Sequence, residues 1–388
     1  MNYLVIGAGR CGQAIAYDLA VHGDSDRVML FDTDIDAARV AQHRLYELCK
    51  EIPGARNVRF PLVQQMPGMR QFDCVISSAP FKNNLDFAEQ AIRDNTSFCD
   101  LGGNTEVVQA QLDLNQRAIA RDISIIPDCG MAPGLVNIIA SIGINQVGDA
   151  KHVRIKCGGL PLYPEPPLNY APIFNMDGLI NEYSGKAEVL RNGKLCKIDA
   201  LTEVDLWGGL GRTGPFETFV TSGGSSMAPR YFEGKLDTYA YKTARYLGHV
   251  AKMRVLKDLG FFSQEEIELD RDIYYVRPSE VTARILEKSL PKFDGKDIMV
   301  AQIDITNDLG YGIVYRLVDL YDSETGFTAM ERTTGFTTGA IAFLAAKGAI
   351  EPGARTPEMI GFQPAFLDML HKRGIQITAE NICAREDS

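Results

Sequence analysis

The sequence predicts an α/β protein with a doubly wound parallel sheet at its start and a second, α+β domain after it. Short apolar runs alternate with helical segments between residues 3 and 127, which is the pattern of a parallel sheet covered by helices. From about residue 150, apolar and polar residues alternate within a run, as in strands with one exposed face. A length of 388 residues suits two domains. We therefore predict domains at 1–134 and 135–330, with helices at 331–388 that return to the first domain.

The individual elements follow from the same patterns and from turn residues between them. In the first domain we predict strands at 3–6, 28–32, 57–63, 72–80, 96–104 and 123–127, and helices after Gly12 and at 35–50, 84–94 and 105–121. In the second domain, Asn192-Gly193 between two short runs predicts a β-hairpin. The other predicted elements there are strands at 151–161, 297–306, 311–320 and 326–331 and helices at 177–184, 249–260 and 278–290. An apolar helix at 338–347 and a helical tail at 363–373 complete the chain.

A glycine-rich loop, Gly7-Ala-Gly-Arg-Cys-Gly12, follows the first predicted strand and precedes a helix. In this G-x-G-x-x-G pattern, Gly7 allows the tight turn, Gly9 lets a pyrophosphate approach the backbone, and Gly12 lets helix and strand pack closely. Free N–H groups at the start of the helix suit phosphate. The second strand ends in Asp32, 20 residues after Gly12, where a carboxylate accepts hydrogen bonds from a ribose diol. Together these features predict a Rossmann dinucleotide-binding domain.

Asp32 also predicts which dinucleotide is bound. Its carboxylate would repel a 2′-phosphate, and neither Thr33 nor Asp34 supplies a cation, so we predict NAD rather than NADP as the cofactor. Ligands bind such sheets at the carboxyl ends of the strands, which lie here at 77–80, 100–104 and 128–134. Besides the three glycines and Asp32, the predicted cofactor contacts are Arg10, Cys11, Thr33, Ser78, Ala79, Pro80, Leu101, Gly102, Asn104 and Pro133.

The composition argues against several classes of protein. A net charge of −10 disfavours binding to nucleic acid or to anionic membranes. No apolar stretch approaches the roughly 20 residues of a membrane span, and the N-terminus is predicted to be a strand rather than a signal peptide. The eight cysteines form no C-x-x-C and only five histidines are present, so we predict reduced cysteines, no metal site and a cytoplasmic location. Because dimers are the commonest assembly, we expect a homo-oligomer, a dimer or larger.

Several stretches from residue 128 onward carry a family resemblance. They lie at 128–134 (DCGMAPG), 157–161 (CGGLP), 166–170 (PPLNY), 178–183 (GLINEY), 191–194 (RNGK) and 241–249 (YKTARYLGH). In this order and spacing the chain resembles the saccharopine dehydrogenase-like oxidoreductases and, within that family, the lysine 6-dehydrogenases. Relatives that act on saccharopine usually carry an acid where this chain has Ala132, and tend to lack the Glu182-Tyr183 pair. Leu247 stands where many relatives have proline.

The resemblance implies a reaction and roles for residues. Lysine would lose a hydride from its ε-carbon to NAD, and hydrolysis of the imine would release ammonia and an aldehyde that cyclises. Arg245, assisted by Lys242, would bind the α-carboxylate. Asp128 or Glu182 would accept the amine proton, or either would hold the α-ammonium. Tyr183 and His249 would orient water or donate protons, and Cys157 would line the pocket.

Structural explanations stay open beside these roles. Asp128 suits a turn and Glu182 a solvated helix face, while Tyr183 and Cys157 suit the protein interior. Two other functions also stay open. One is a glutamate-forming saccharopine dehydrogenase, and the other is a sensor that binds NAD without turnover.

Overall fold

The computed structural model describes residues 1–173, 175–270 and 274–383, which divide into two compact units. The first unit comprises Met1–Gln146, Ser323–Phe327 and Glu331–Ile377. The second comprises the described residues of Val147–Asp322, Thr328–Met330 and 378–383. The division after Gln146 lies beyond the boundary predicted at 134.

Eighteen strands lie in the described residues: β1 (Asn2–Ile6), β2 (Arg27–Phe31), β3 (Leu62–Val63), β4 (Cys74–Ser77), β5 (Ser97–Asp100), β6 (Ser124–Ile126), β7 (His152–Pro161), β8 (Lys186–Arg191), β9 (Lys194–Asp199), β10 (Asp205–Trp207), β11 (Phe216–Phe219), β12 (Thr238–Tyr246), β13 (Ile267–Asp270), β14 (Tyr274–Val276), β15 (Asp297–Thr306), β16 (Gly312–Leu320), β17 (Gly353–Ala354) and β18 (Ile377–Ile382).

Thirteen α-helices lie in the same residues: α1 (Arg10–His22), α2 (Ile35–Cys49), α3 (Asn84–Asp94), α4 (Thr105–Leu112), α5 (Asn115–Ile119), α6 (Leu135–Val147), α7 (Met176–Tyr183), α8 (Ala228–Tyr231), α9 (His249–Asp258), α10 (Pro278–Ser289), α11 (Ala329–Ala346), α12 (Pro357–Ile360) and α13 (Ala365–His371). None of the helices in the described part of the chain is long and apolar enough to cross a membrane.

The first unit contains a seven-stranded parallel sheet in the order β17-β6-β5-β4-β1-β2-β3. The run from β3 to β6 is the 3-2-1-4-5-6 order of a dinucleotide-binding fold. Its central strands are buried on both faces, because Tyr3, Leu4 and Val5 of β1 are inaccessible to solvent. The predicted doubly wound sheet is confirmed.

The second unit contains a nine-stranded mixed sheet. Seven strands follow the order β10-β11-β12-β7-β15-β16-β18, while β8 pairs with β12 and β9 with β8. The predicted hairpin joins β8 to β9, with Asn192 at φ 50° and Gly193 at φ 75°. Strand β12 lies inside the sheet, antiparallel to β11 and parallel to β7. An apolar core cluster brings residues of α7, α9 and α10 together with Phe219 of β11.

Three of the predicted elements differ from those in the structure. Residues 105–121 form two helices, α4 and α5, and the strand predicted at 57–63 is only β3. The strand predicted at 326–331 is wrong, because helix α11 starts at Ala329. This helix forms although it contains threonines, which have a lower helix propensity. Inside the helix, the hydroxyls of Thr337 and Thr338 donate to the backbone carbonyls four residues earlier (2.7 and 2.8 Å). Neither α6 nor β12 was predicted as an element.

Candidate active site

The glycine-rich loop of the first unit has the geometry that a bound dinucleotide needs. Gly7 has a φ of +93°, and a Cβ there would lie 2.8 Å from the Ser78 hydroxyl. A Cβ on Gly12 would lie 1.9 Å from the Gly7 carbonyl oxygen, so α1 approaches β1 more closely than a side chain would allow. At Gly9, none of the described residues other than its chain neighbours comes within 4 Å of the Cβ position. This open backbone at the start of a 13-residue helix fits a pyrophosphate.

Asp32, at the end of β2, holds the loop in place. Its Oδ2 accepts a hydrogen bond from Ala8 N at 2.7 Å, and its Oδ1 accepts one from Asp34 N at 2.9 Å. Asp34 caps α2 by accepting from two N–H groups of its first turn. A carboxylate has about four acceptor positions, so Asp32 retains capacity for a ribose hydroxyl. Thr33 beside it is exposed.

Arg10 and Cys11 lie in the first turn of α1. Arg10 Nε donates to the Glu331 carboxylate at 2.5 Å, and Glu331 is buried. The Cys11 side chain is partly exposed, yet its surroundings desolvate the thiol and raise its pKa to about 11. Cys11 is therefore a neutral thiol at pH 7, and it contributes size rather than charge to the loop.

The segments after β4 and β5 also lie in the first unit. Ser78 Oγ donates to the Gly7 carbonyl at 2.9 Å, which ties the end of β4 to the glycine loop. Ala79 is half-buried and Pro80 is exposed. Leu101 is half-buried, while Asn104 caps α4 by accepting from the N–H groups of residues 106 and 107. The predicted contact at Asn104 therefore has a structural role in its own helix.

Asp128, which follows β6, is buried within the first unit. It has a φ of +63° and is 1% exposed. A Cβ on Gly102 would lie 1.9 Å from Asp128 Oδ1, so glycine at 102 makes room for this carboxylate. Pro133, also predicted as a cofactor contact, is half-buried in the turn before α6. Asp128 thus belongs to the first unit, whereas Glu182 and the other substrate candidates belong to the second.

The second unit contains a buried polar cluster around Arg245 of β12, whose side chain is 3% exposed. Nε of Arg245 donates to the Tyr183 hydroxyl at 3.0 Å, and Nη1 donates to the carbonyls of Ala244 (3.0 Å) and Gly159 (3.4 Å). The Tyr170 ring lies 5.1 Å from the guanidinium carbon. Among the described residues, Nη2 has no acceptor. This nitrogen therefore offers its two N–H groups to an anion, whereas Nε and Nη1 already donate to acceptors of the protein.

Tyr183 and His249 extend this cluster away from Arg245. Tyr183 closes α7 and is inaccessible to solvent, and His249 opens α9 and is 1% exposed. The Tyr183 hydroxyl lies 3.0 Å from His249 Nε2, and His249 Nδ1 lies 3.0 Å from the Leu168 carbonyl. Burial and the charge of Arg245 lower the pKa of His249 to about 3, so the imidazole is neutral at pH 7.

Glu182 is an acid of the same cluster. Burial raises the pKa of its carboxyl from 4.5 to about 7, although the positive charge of Arg245 acts in the opposite direction. No described residue of the second unit forms a hydrogen bond or an ion pair with the Glu182 side chain. Because the Glu182 carboxylate does not form an ion pair with Arg245, both groups remain available to a ligand. A carboxyl with a pKa near 7 is suited to proton transfer at neutral pH.

Lys242 and Cys157 are the remaining sequence candidates in the second unit. Lys242 is on the opposite face of β12 from Arg245, where Nζ donates to the Asp205 carboxylate and to the Glu203 carbonyl (2.7 Å). Cys157 is 3% exposed, its Sγ lies 4.0 Å from a methionine sulfur, and burial raises the pKa of its thiol to about 12. The structure therefore does not bring Lys242 into the cluster, and it gives Cys157 a packing position beside it.

Three residues of the cluster were not predicted from the sequence. Tyr170 lies over Arg245, and Tyr241 is on the same face of β12 as Arg245 and is almost fully buried. Glu217 of β11 pairs in register with Arg245, and its carboxylate accepts N–H groups at the start of α9 (2.5 and 3.2 Å). Predicting β12 as a strand would have placed Tyr241 beside Arg245. Within the described ranges, no group of three or more His, Cys, Asp or Glu side chains is arranged to hold a metal ion.

Both units match protein-family models. Residues 3–126 match the saccharopine dehydrogenase NADP binding domain, and residues 130–375 match the saccharopine dehydrogenase C-terminal domain. The chain therefore belongs to the saccharopine dehydrogenase family, a family of oxidoreductases whose first domain binds a nicotinamide cofactor. This confirms the family predicted from the sequence motifs.

A curated relative is the saccharopine dehydrogenase (NADP+, L-glutamate-forming) of Pyricularia oryzae, which is 28% identical over 204 residues. The matched region spans 50% of this chain and 44% of that relative. Apo saccharopine dehydrogenase (L-Glu forming) from Saccharomyces cerevisiae has a TM-score of 0.73 at 17% identity, covering 98% of this chain and 100% of its own. Homospermidine synthase from Legionella pneumophila in complex with NAD has a TM-score of 0.63 at 12% identity, covering 98% and 91%. These likenesses confirm the fold.

Proposed function

We propose that this protein catalyses the NAD-dependent oxidative deamination of the ε-amino group of L-lysine. The products are ammonia and 2-aminoadipate 6-semialdehyde, which cyclises to piperideine-6-carboxylate. One observation carries the choice of substrate. Among the described residues of the second unit, Arg245 is the single buried Lys or Arg side chain, and Glu182 is in the same cluster. The other acid of the cluster, Glu217, already accepts backbone N–H groups at the start of α9. One cation and one acid that is not used in this way suit an amino acid with one carboxylate and two amines.

The residues of the cluster have separate roles in this reaction. Nη2 of Arg245 binds the α-carboxylate and fixes the substrate along its length. Glu182 accepts a proton from the ε-ammonium, because the amine must be neutral before its carbon can lose hydride. The cofactor supplies the hydride acceptor. Loss of hydride leaves an iminium ion, and water adds to its carbon with release of one proton to solvent. Glu182 then returns its proton to the nitrogen, and the hydroxyl proton passes back to Glu182 as the C–N bond breaks, ammonia leaves and the aldehyde forms.

A glutamate-forming saccharopine dehydrogenase is the second candidate, because the relatives reported above carry that name. Saccharopine contains a glutamate moiety with two further carboxylates, which need additional cations. Lys242 does not supply one in this structure, since its ammonium group is used by Asp205 and Glu203. Ala132, where saccharopine-type relatives usually have an acid, also favours lysine.

The assay that separates the candidates offers lysine and saccharopine individually with NAD. We expect lysine to yield NADH and ammonia with no requirement for 2-oxoglutarate or glutamate. Ornithine should react more slowly, because its terminal carbon is one methylene short of the position where hydride leaves. Oxidation of saccharopine with release of glutamate, and no reaction of lysine, would establish the second candidate. NAD binding without turnover of any amino acid would identify a sensor.

We further propose NAD rather than NADP as the cofactor. Asp32 is followed by Asp34 and Asp36, so the end of β2 is negatively charged. The nearby cation Arg39 forms an ion pair with Asp36. A second phosphate on the ribose would meet this charge at close range.

Asp32→Asn should raise the ratio of kcat/KM with NADP to kcat/KM with NAD by about tenfold, because it removes the charge and keeps an acceptor for Ala8 N. Asp32→Ala should weaken the binding of both cofactors more than Asp32→Asn does, since it also removes the hydrogen bond that holds the glycine-rich loop. Glu47→Gln is the matched control, because it removes an exposed acid at the far end of α2, where the carboxylate pairs with Lys50 (2.7 Å), and it should leave the ratio unchanged. Equal use of both cofactors by the unmodified protein would contradict the role of Asp32.

A further inference from the structure

The polar cluster of the second unit contains a hydrogen-bond chain with a fixed direction. The Leu168 carbonyl can only accept, so His249 Nδ1, 3.0 Å away, carries a hydrogen. A neutral imidazole then has a bare Nε2, which accepts from the Tyr183 hydroxyl at 3.0 Å. With its hydrogen committed to His249, the Tyr183 oxygen presents its lone pairs to Arg245 Nε, also at 3.0 Å. Each donor in the chain thus has one acceptor, from Arg245 to Leu168.

We propose that Tyr183 and His249 are positioning residues that hold the Arg245 guanidinium with Nη2 directed at the substrate carboxylate. The inference rests on the proposed function of Arg245 as the carboxylate-binding group. Nε is held by Tyr183 and Nη1 by two backbone carbonyls, so three of the five N–H groups are fixed and the other two lie on Nη2. The ring of Tyr170 lies near the guanidinium carbon and adds a further contact that restricts its rotation.

This arrangement leaves Tyr183 no proton to donate to a substrate. Its hydroxyl hydrogen is used by His249, and the side chain is inaccessible to solvent. The family resemblance implies that Tyr183 orients water or donates protons, whereas the hydrogen-bond chain assigns it to the orientation of Arg245. Because α7, β12 and α9 supply the three side chains, the cluster also links three elements of the unit.

A pair of substrates distinguishes positioning from a general loss of structure. Pentane-1,5-diamine is lysine without its carboxylate, so it does not use Arg245. Tyr183→Phe keeps the ring and removes the acceptor for Nε. We expect the ratio of kcat/KM for lysine to kcat/KM for the diamine to fall about tenfold or more, with most of the change in the KM for lysine. If kcat/KM falls by the same factor for lysine and for the diamine, the proposal is overturned.

Three further variants sharpen the test. Tyr246→Phe is the matched control, because it removes a β12 tyrosine hydroxyl that donates to the Pro161 carbonyl (3.0 Å) and not to the cluster. Its substrate ratio should stay within about twofold of the unmodified protein. His249→Gln retains an acceptor for Tyr183, whereas His249→Leu does not. The proposal requires the glutamine variant to keep a higher ratio than the leucine variant, and equal ratios would contradict it.

A spectroscopic measurement separates a failure of this proposal from a failure of the proposed function. In protein with ¹⁵N-labelled histidine at pH 7, the His249 signals, assigned by their loss in His249→Gln, should show a protonated Nδ1 and a bare Nε2. This result does not depend on the substrate. If His249 has the opposite tautomer or is an imidazolium, the proposed hydrogen-bond chain is wrong, whatever substrate the enzyme oxidises. If the expected tautomer is found and lysine is not oxidised, the substrate assignment fails while the chain stands.

Discussion

Replacing Arg245 by methionine is expected to raise the KM for lysine by about two orders of magnitude while the affinity for NAD stays unchanged. Methionine retains much of the side-chain volume and removes the charge, so the α-carboxylate loses its partner in a buried site. Removal of one member of a desolvated charge pair costs about 2–5 kcal/mol. Steady-state kinetics with lysine and fluorescence titration with NAD measure the two effects separately.

Lys242→Met is the matched comparison for Arg245→Met. It removes a cation from the same strand, but Lys242 is on the other face and is bound by Asp205 and Glu203. Its KM should stay within about twofold of the unmodified protein. Arg245→Lys should not restore the site, because an ammonium cannot hold the Tyr183 hydroxyl and two carbonyls and still present a free nitrogen. Normal lysine binding by Arg245→Met would show that Arg245 is structural.

The first unit could be predicted from the sequence because its interactions are local. Gly7, Gly9, Gly12 and Asp32 lie within two strands and one helix, and their spacing determines the geometry of the loop. The prediction of NAD depends on the residues after β2 and on nothing distant. The hairpin at Asn192-Gly193 was predictable for the same reason, since its turn type follows from two residues.

The substrate cluster could be predicted only in part, because its contacts join residues far apart in the chain. Arg245 and Glu182 were found through motif resemblance, but the link from Tyr183 to His249 spans 66 residues and depends on where α7 and α9 pack. The contact of Asp128 with Gly102 likewise joins the ends of two strands. Residues 326–331 were predicted as a strand from their local sequence, although α11 begins at Ala329. Close packing of Gly335 on Ala14 and of Gly339 on Asp18 favours the helix instead.

Replacement of Glu182 by glutamine is expected to lower kcat by about 10²–10³-fold and to change the pH profile. Glutamine has the same shape but accepts no proton, so the ε-ammonium would have to lose its proton to water. A pKa of Glu182 near 7 means that the carboxylate form, which is the base, increases as the pH rises through 7. The kcat of the unmodified enzyme should therefore increase as the pH rises through 7. In Glu182→Gln this rising limb of the kcat profile should be absent.

Two other variants test whether the change in the pH profile comes from Glu182 itself. Glu188→Gln removes an acid of the next strand that pairs with Arg230, and it should leave the limb near pH 7 in place. Arg245 lowers the pKa of Glu182, so Arg245→Met should move the limb to higher pH. If Glu182→Gln instead raises the KM for lysine with kcat unchanged, Glu182 holds the α-ammonium and is not the base. Profiles of kcat against pH for the three variants decide between these roles, because kcat reports the groups that titrate in the enzyme–substrate complex.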